Sequence, residues 1–246
     1  MIVQQLYPSE QERLLLESRE ADRHVREVPD FRDVTVVKPW GEEYLLFENS
    51  DAAIWILRID PAGSTSFHAH PRKTTSLIVL GGRSGCETLG AAYSFGMLEA
   101  IILGRGVFHC SFNTAQEPLY LMEIESPVDK FDLVRHKDAY GREGTGYEAQ
   151  ERYEATPGSY MASGSRRIGE ATVTIAFAPD REAFLERAAG LHDAIITILD
   201  RHIWSAEGEK LVEVGSSFRL EELGGEFRIN DRFHYVIIHK NGEEAV

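Results

Sequence analysis

Between Val34 and Leu133 the chain is built of short apolar runs closed by turn-forming residues, and this pattern restricts the fold more than any other feature. The runs are Val34 to Val37, Tyr44 to Phe47, Ile54 to Ile59, Leu77 to Leu80, Ala100 to Leu103 and Leu119 to Ile124. Between them stand Pro39-Trp40-Gly41, Asn49-Ser50-Asp51, Pro61-Ala62-Gly63, Gly81 to Gly85 and Asn113-Thr114. The runs are too short for ordinary helices, so each reads as a strand. Many short strands at such spacing close into a sandwich or a barrel. At 246 residues the chain has room for one large domain or two small ones and needs no disulfide staple.

Two histidines fall inside this region, in Phe67-His68-Ala69-His70. Side chains on a strand alternate faces, so His68 and His70 point to the same side and can converge on one ion. A lone His-x-His pair is more commonly exposed or hydrogen-bonded than metal-bound. Here the setting favours the ion. Gly63 precedes the pair, Leu77-Ile78-Val79-Leu80 closed by Gly81-Gly82 follows it, and a third histidine, His109, comes just after Gly104-Arg105-Gly106 and before Asn113. Neutral imidazole is the commonest protein ligand for zinc, iron, nickel and copper, so His68, His70 and His109 form a candidate metal site.

Composition bounds the partners. With 43% hydrophobic and 27% charged residues the chain is an ordinary globular sequence. A formal charge of −14 argues against nucleic acid or an anionic membrane, both of which reward dense Lys and Arg. It leaves room for a phosphorylated ligand held by a local cluster such as Arg72-Lys73 or Arg135 to Lys137. No apolar run approaches the ~20 residues that cross a bilayer. The start, Met1 to Gln5, lacks the basic and apolar regions of a secretory signal, so a cytoplasmic location is the expectation. Cys86 and Cys110 are the only cysteines, which gives neither a disulfide framework nor a CxxC motif. On a strand Cys110 faces away from His109, and a small core thiol is its expected role.

The flanks differ in character. Residues 9 to 28 read as a charged helix ending before Pro29, expected to be a solvated lid or dimer arm within an N-terminal helical arm over 1–33. The barrel then occupies 34–146. Glycines and Pro157 interrupt every pattern after residue 136, so 147–169 reads as an irregular linker. In 170–246, Ala171 to Phe177 reads as a strand and Asp180 to His192 as a helix with Asp180 as N-cap, followed by further β-type runs. This α+β, mainly β, region contains no second His-x-His; it is either a degenerate second barrel that lost its site or an unrelated packing domain.

The motif residues Gly63, His68, His70, Gly106, His109 and Asn113 resemble the two motifs of the cupin superfamily, with Gly104 where the second motif has proline. Lys38-Pro39-Trp40-Gly41 before the barrel, and Asp132-Leu133-Val134-Arg135 with Asp138-Ala139-Tyr140-Gly141-Arg142 after it, are similar to the cupin domain of type II mannose-6-phosphate isomerases. The resemblance covers about residues 34 to 146 and implies a mostly β fold, a cupin-type jelly-roll barrel. It implies a divalent metal, zinc or iron, on His68, His70 and His109, and proton transfer between aldose and ketose phosphates through an enediol.

The family's glutamate is missing: its position falls at Thr74 or Thr75, and no carboxylate lies between His70 and Glu87. Three functions remain open on these residues. The first is a metal-dependent cupin acting on or binding a sugar phosphate or related carbohydrate, with Lys38, Arg135 and Thr75 on the ligand. The second is an Fe(II) three-histidine dioxygenase, and the third a non-catalytic sugar-binding or regulatory cupin. Arg142 also suits phosphate, although surface pairing with Asp138 is the commoner fate of such a charge. Glu123 and Glu125 share one side of their strand; the expectation is the solvent side, the alternative the barrel interior, where one replaces the missing carboxylate. Cupins commonly pair through barrel edges, which implies a homodimer.

Overall fold

A computed structural model describes residues 3–17, 29–142, 152–191, 193–224 and 226–242. The first part runs β1 (Val3–Leu6), α1 (Glu10–Glu17), β2 (Val34–Lys38), β3 (Gly41–Glu48), β4 (Ala53–Ile59), β5 (Phe67–Ala69), β6 (Thr74–Gly81), β7 (Arg83–Thr88), β8 (Ala92–Gly96), β9 (Ala100–Leu103), β10 (His109–Asn113), β11 (Leu119–Ser126) and β12 (Val134–Lys137). The second runs β13 (Arg152–Ala155), β14 (Gly164–Ile168), β15 (Ala171–Ala178), α2 (Arg181–Ala188), β16 (Ile195–Ile198), β17 (Ile203–Ser205), β18 (Lys210–Val212), β19 (Ser217–Phe218), β20 (Phe227–Arg228) and β21 (Phe233–Lys240).

The expected strands between Val34 and Leu133 all form, and they close as a jelly roll. One sheet has the order β1-β9-β6-β11-β4-β3-β2-β13 and faces a second of order β12-β5-β10-β7-β8. Leu45, Trp55, Leu57, Leu77, Val79, Ile101 and Leu121 from the first sheet pack with Cys86 and Phe95 from the second to fill the interior. The turn at Lys38-Pro39-Trp40-Gly41 requires its glycine, which has φ +141°; a Cβ there would lie 2.0 Å from the Arg58 carbonyl oxygen.

The outer face of the large sheet is equally apolar. Ile54, Ile56, Ile78, Leu80, Met122 and Ile124 pack against Val173, Ile175, Ile195, Val236 and Ile238 of the C-terminal half. This is why β4, β6 and β11 read as continuous hydrophobic runs instead of alternating ones: both faces are buried. Polar links add register, with Ser76 Oγ donating to the Gly215 carbonyl at 2.9 Å and Arg219 Nη2 to that of Leu98 at 2.7 Å.

The C-terminal half repeats the strand order of the first. The series β3-β4-β11-β6-β9 recurs as β14-β15-β21-β16-β19, and β10-β7-β8 recurs as β20-β17-β18. In chain order β5, the His-x-His strand, corresponds to α2. Asp180 caps α2 as expected, accepting from the Ala183 amide at 2.9 Å. Phe184 and Ala188 on its buried side pack against Tyr235, Phe233 and Ile196.

Two expectations for the flanks, an all-helical arm and an irregular linker, are revised. The N-terminal arm begins with a strand, β1, which pairs in parallel with β9; four residues are too few for periodicity to register. The helix is described over Glu10–Glu17, and residues 18–28 of the expected helix lie outside the described residues. It is tied down by a capping box. Glu12 Oε2 accepts from the amide and hydroxyl of Ser9 at 2.7 and 2.8 Å, and Oε1 from the Phe108 amide at 2.9 Å, beside His109. Within the expected irregular linker, 147–169, β13 adds to the barrel edge beside β2 and β14 opens the third sheet. Both strands are polar and mostly exposed, so they carry no hydrophobic pattern to read.

Candidate metal centre

His68 lies on β5, His70 just beyond its end, and His109 at the start of β10, directly opposite His68 in the antiparallel pair. The three rings meet inside the barrel, with centroids 4.5 to 5.5 Å apart. Each is almost fully buried, and their ligand atoms lie within 4.8 Å of one another.

Backbone carbonyls orient all three. His68 Nδ1–H donates to the Ser66 carbonyl at 2.7 Å, His70 Nδ1–H to that of Asp132 at 2.6 Å, and His109 Nδ1–H to that of Val107 at 3.1 Å. A carbonyl only accepts, so Nδ1 carries the proton and Nε2 presents its lone pair, the arrangement of metal-ligating imidazoles. His68 Nε2 and His70 Nε2 then face each other at 3.2 Å, two acceptors in need of a shared electrophile. Two ligand atoms about 2.1 Å from one ion are about 3.0 Å apart at a right angle and about 3.4 Å apart at the tetrahedral angle, so the spacing fits a divalent ion.

The electrostatics keep the rings neutral. Burial pushes His109 down to about 4. Burial, with His109 as the next cause for His68 and Lys73 for His70, holds the other two well below the usual imidazole value. Burial raises Cys86 to about 12 and Cys110 to about 11; Cys86 packs in the barrel core, whereas Cys110, expected there too, is half-buried and outside the core clusters.

A small cavity of about 50 Å³ is lined by His68 and His70, with His109 behind them, room for an ion and water. Its charged walls are Lys38, Lys73, Lys130, Arg135 and Arg142 against Glu43 and Glu123, so cations outnumber carboxylates five to two. Of the residues the sequence put at a ligand, Lys38 and Arg135 line it; Thr75 does not. Lys38 and Lys130 bracket Glu43 at 3.5 and 3.1 Å. Lys130 Nζ also sits 3.5 Å above the Trp55 ring. Arg142 lines the cavity while pairing with Asp138 at 2.8 Å.

The expectation that Glu123 and Glu125 face solvent is overturned. Both point into the barrel, in register with Trp55 and Leu77 for Glu123 and with Ala53 and Thr75 for Glu125. Because β11 is apolar on both sides, neither side offers water. Glu125 is fully buried and paired with Lys73, whose ammonium also donates to the Asp129 carbonyl at 3.1 Å. Glu123 Oε1 lies 3.8 Å from His70 Nε2, and burial raises its carboxyl above the usual range against the pull of Lys130. Asp132 was also missed. Its carboxylate accepts from the amides of Arg72 and Lys73 and clamps the turn after His70, while its carbonyl orients that ring. The sequence offered Asp132 only as part of Asp132-Leu133-Val134-Arg135, about sixty residues from the turn it clamps.

No protein-family model matches this chain. Mannose-1-phosphate guanylyltransferase of Escherichia coli is 23% identical over 146 residues, which is 54% of this chain and 31% of that protein. The enzyme of the same name from Salmonella typhimurium is 27% identical over 109 residues, 44% of this chain and 23% of that one. The chain thus spans about a third or less of the length of these curated relatives. Among solved structures, a double-stranded β-helix protein of Klebsiella pneumoniae is 18% identical with a TM-score of 0.33, covering 44% of this chain and 88% of that one. Likeness at this level assigns neither substrate nor activity. Two facing sheets in jelly-roll order, with a His-x-His strand and a third histidine meeting between them, make this a barrel of the cupin type.

Proposed function

We propose that the barrel holds a divalent ion, zinc or iron, on His68, His70 and His109 and takes an anionic carbohydrate, a sugar phosphate, at the ion's open side. The observation that carries this reading is the convergence of three Nε2 lone pairs whose Nδ1–H groups are already committed to backbone carbonyls. The excess of cations on the cavity wall supports an anionic ligand, with Arg135 suited to a forked contact with phosphate. Lys38 and Lys130, bracketing Glu43, add positive potential without direct competition for the ion. A bound ion supplies Lewis acidity to a substrate carbonyl. The protein's part is to exclude water, neutralise the anion and fix the rings.

The test is metal content and ligand affinity together. Purified protein is expected to carry about one zinc or iron per chain, and His70→Ala to lose it; full retention by the variant would refute the ligand assignment. Calorimetry with mannose 6-phosphate is expected to show binding that weakens at least about tenfold in Arg135→Ala and falls with added salt. The dioxygenase reading is favoured instead if iron-loaded protein consumes oxygen with a bound substrate.

A further inference from the structure

Three neutral imidazoles around a dication leave two positive charges inside a buried barrel, an arrangement that calls for an anionic partner. Three carboxylates project from the facing wall. Glu125 is engaged by Lys73, and Glu43 stands between Lys38 and Lys130. Glu123 is different: its Oε1 lies 3.8 Å from His70 Nε2, with no proton on that nitrogen to bond it. Measured from His70, this is a few tenths of an ångström beyond the spacing of two atoms on one ion, and Glu123 lines the same cavity as His68 and His70.

We infer that Glu123, on β11, is the anionic ligand of the centre, supplied one strand over from the start of β6, where Thr74 and Thr75 stand. The inference rests on the metal site proposed above and completes its donor set as three nitrogens and one oxygen. β11 lies between β4 and β6, so the carboxylate rides on an interior strand paired on both sides. Its neighbours in register, Trp55 and Leu77, are both buried and leave it little choice of direction.

Cobalt(II) titration of the full chain after chelation is the experiment, read by calorimetry and by the visible ligand-field spectrum. Wild type is expected to bind one ion per chain. Glu123→Gln, nearly isosteric, is expected to bind at least about tenfold more weakly with a shifted spectrum, while thermal melting shows it folded. Glu123→Asp, which keeps the charge on a shorter arm, is expected to recover part of the affinity. Equal affinity and an unchanged spectrum in folded Glu123→Gln would overturn this inference and leave the three-histidine site standing. Failure of wild type to bind cobalt or zinc would overturn the site and this inference together.

Discussion

Thr75 on β6 and Glu125 on β11 stand directly opposite each other across a hydrogen-bonded strand pair inside the barrel. Among the described residues, neither Thr75 Oγ1 nor Glu125 Oε1 makes a hydrogen bond. β6 carries no carboxylate at this position, and β11, one strand over, does. Thr75→Glu sets two buried carboxylates face to face and is expected to cost about 3 kcal/mol or more. Thr75→Val, which removes an unpaired buried hydroxyl, is expected to stay within about 1 kcal/mol of wild type. Urea denaturation of both variants checks the contrast, and a well-tolerated glutamate contradicts it.

Lys73 and Glu125 form an ion pair that is almost wholly buried. Removing one partner leaves an uncompensated charge, so Lys73→Met is expected to destabilise by about 3–5 kcal/mol. The double variant Lys73→Met, Glu125→Met replaces both charges by apolar side chains and is expected to recover most of that loss. A double-mutant cycle by denaturant unfolding measures the coupling, and purely additive losses would show that the pair is not coupled.

The three imidazoles make the stability of metal-free protein depend on pH. In the unfolded chain each takes up its proton near the ordinary value of 6.5, whereas in the fold burial lowers all three, His109 to about 4. Between those values the unfolded state binds more protons. The stabilisation is therefore complete above about pH 6.5 and is lost as pH falls toward 4, each ring contributing up to ~1.4 kcal/mol per pH unit. Chelator-treated protein is expected to show a falling urea midpoint from pH 6.5 to 4.5, with a shallower slope in His109→Gln. Identical slopes would count against a buried neutral His109.

The C-terminal half covers an apolar sheet face that includes Ile54, Ile56, Ile78, Met122 and Ile124. A chain ending at residue 142 bares that face, and it is expected to bind a hydrophobic dye and to associate in light scattering. Within the intact chain, Ile56→Ala is expected to cost about 2–5 kcal/mol. A monomeric, dye-silent fragment would show that the face does not need its cover.

Local pattern made several features readable. Strand after strand between Val34 and Leu133 was visible because apolar runs and turn residues alternate at short range. His68 and His70 were placed on one side by strand alternation alone, and Asp180 was recognised as a cap by its position before a helix. The direction of Glu123 and Glu125 was not readable in this way. A glutamate on a strand faces water only if one face does, and the outer face is covered by Val173, Ile175, Val236 and Ile238, residues far from β11 in sequence.

The amino-acid order by itself determined a sandwich or barrel of short strands with three histidines in it, and resemblance to a family's motifs made the barrel a jelly roll. Tertiary structure decided the rest: Asp132 reaching back to orient His70, Lys73 meeting Glu125, Glu123 turned toward the rings, and a second half that repeats the strand order with α2 in place of the histidine strand. The physical reason is the same in each case. Burial removes water as a partner, and a polar group then takes the nearest complementary atom, which the fold, and not the adjacent sequence, brings within reach.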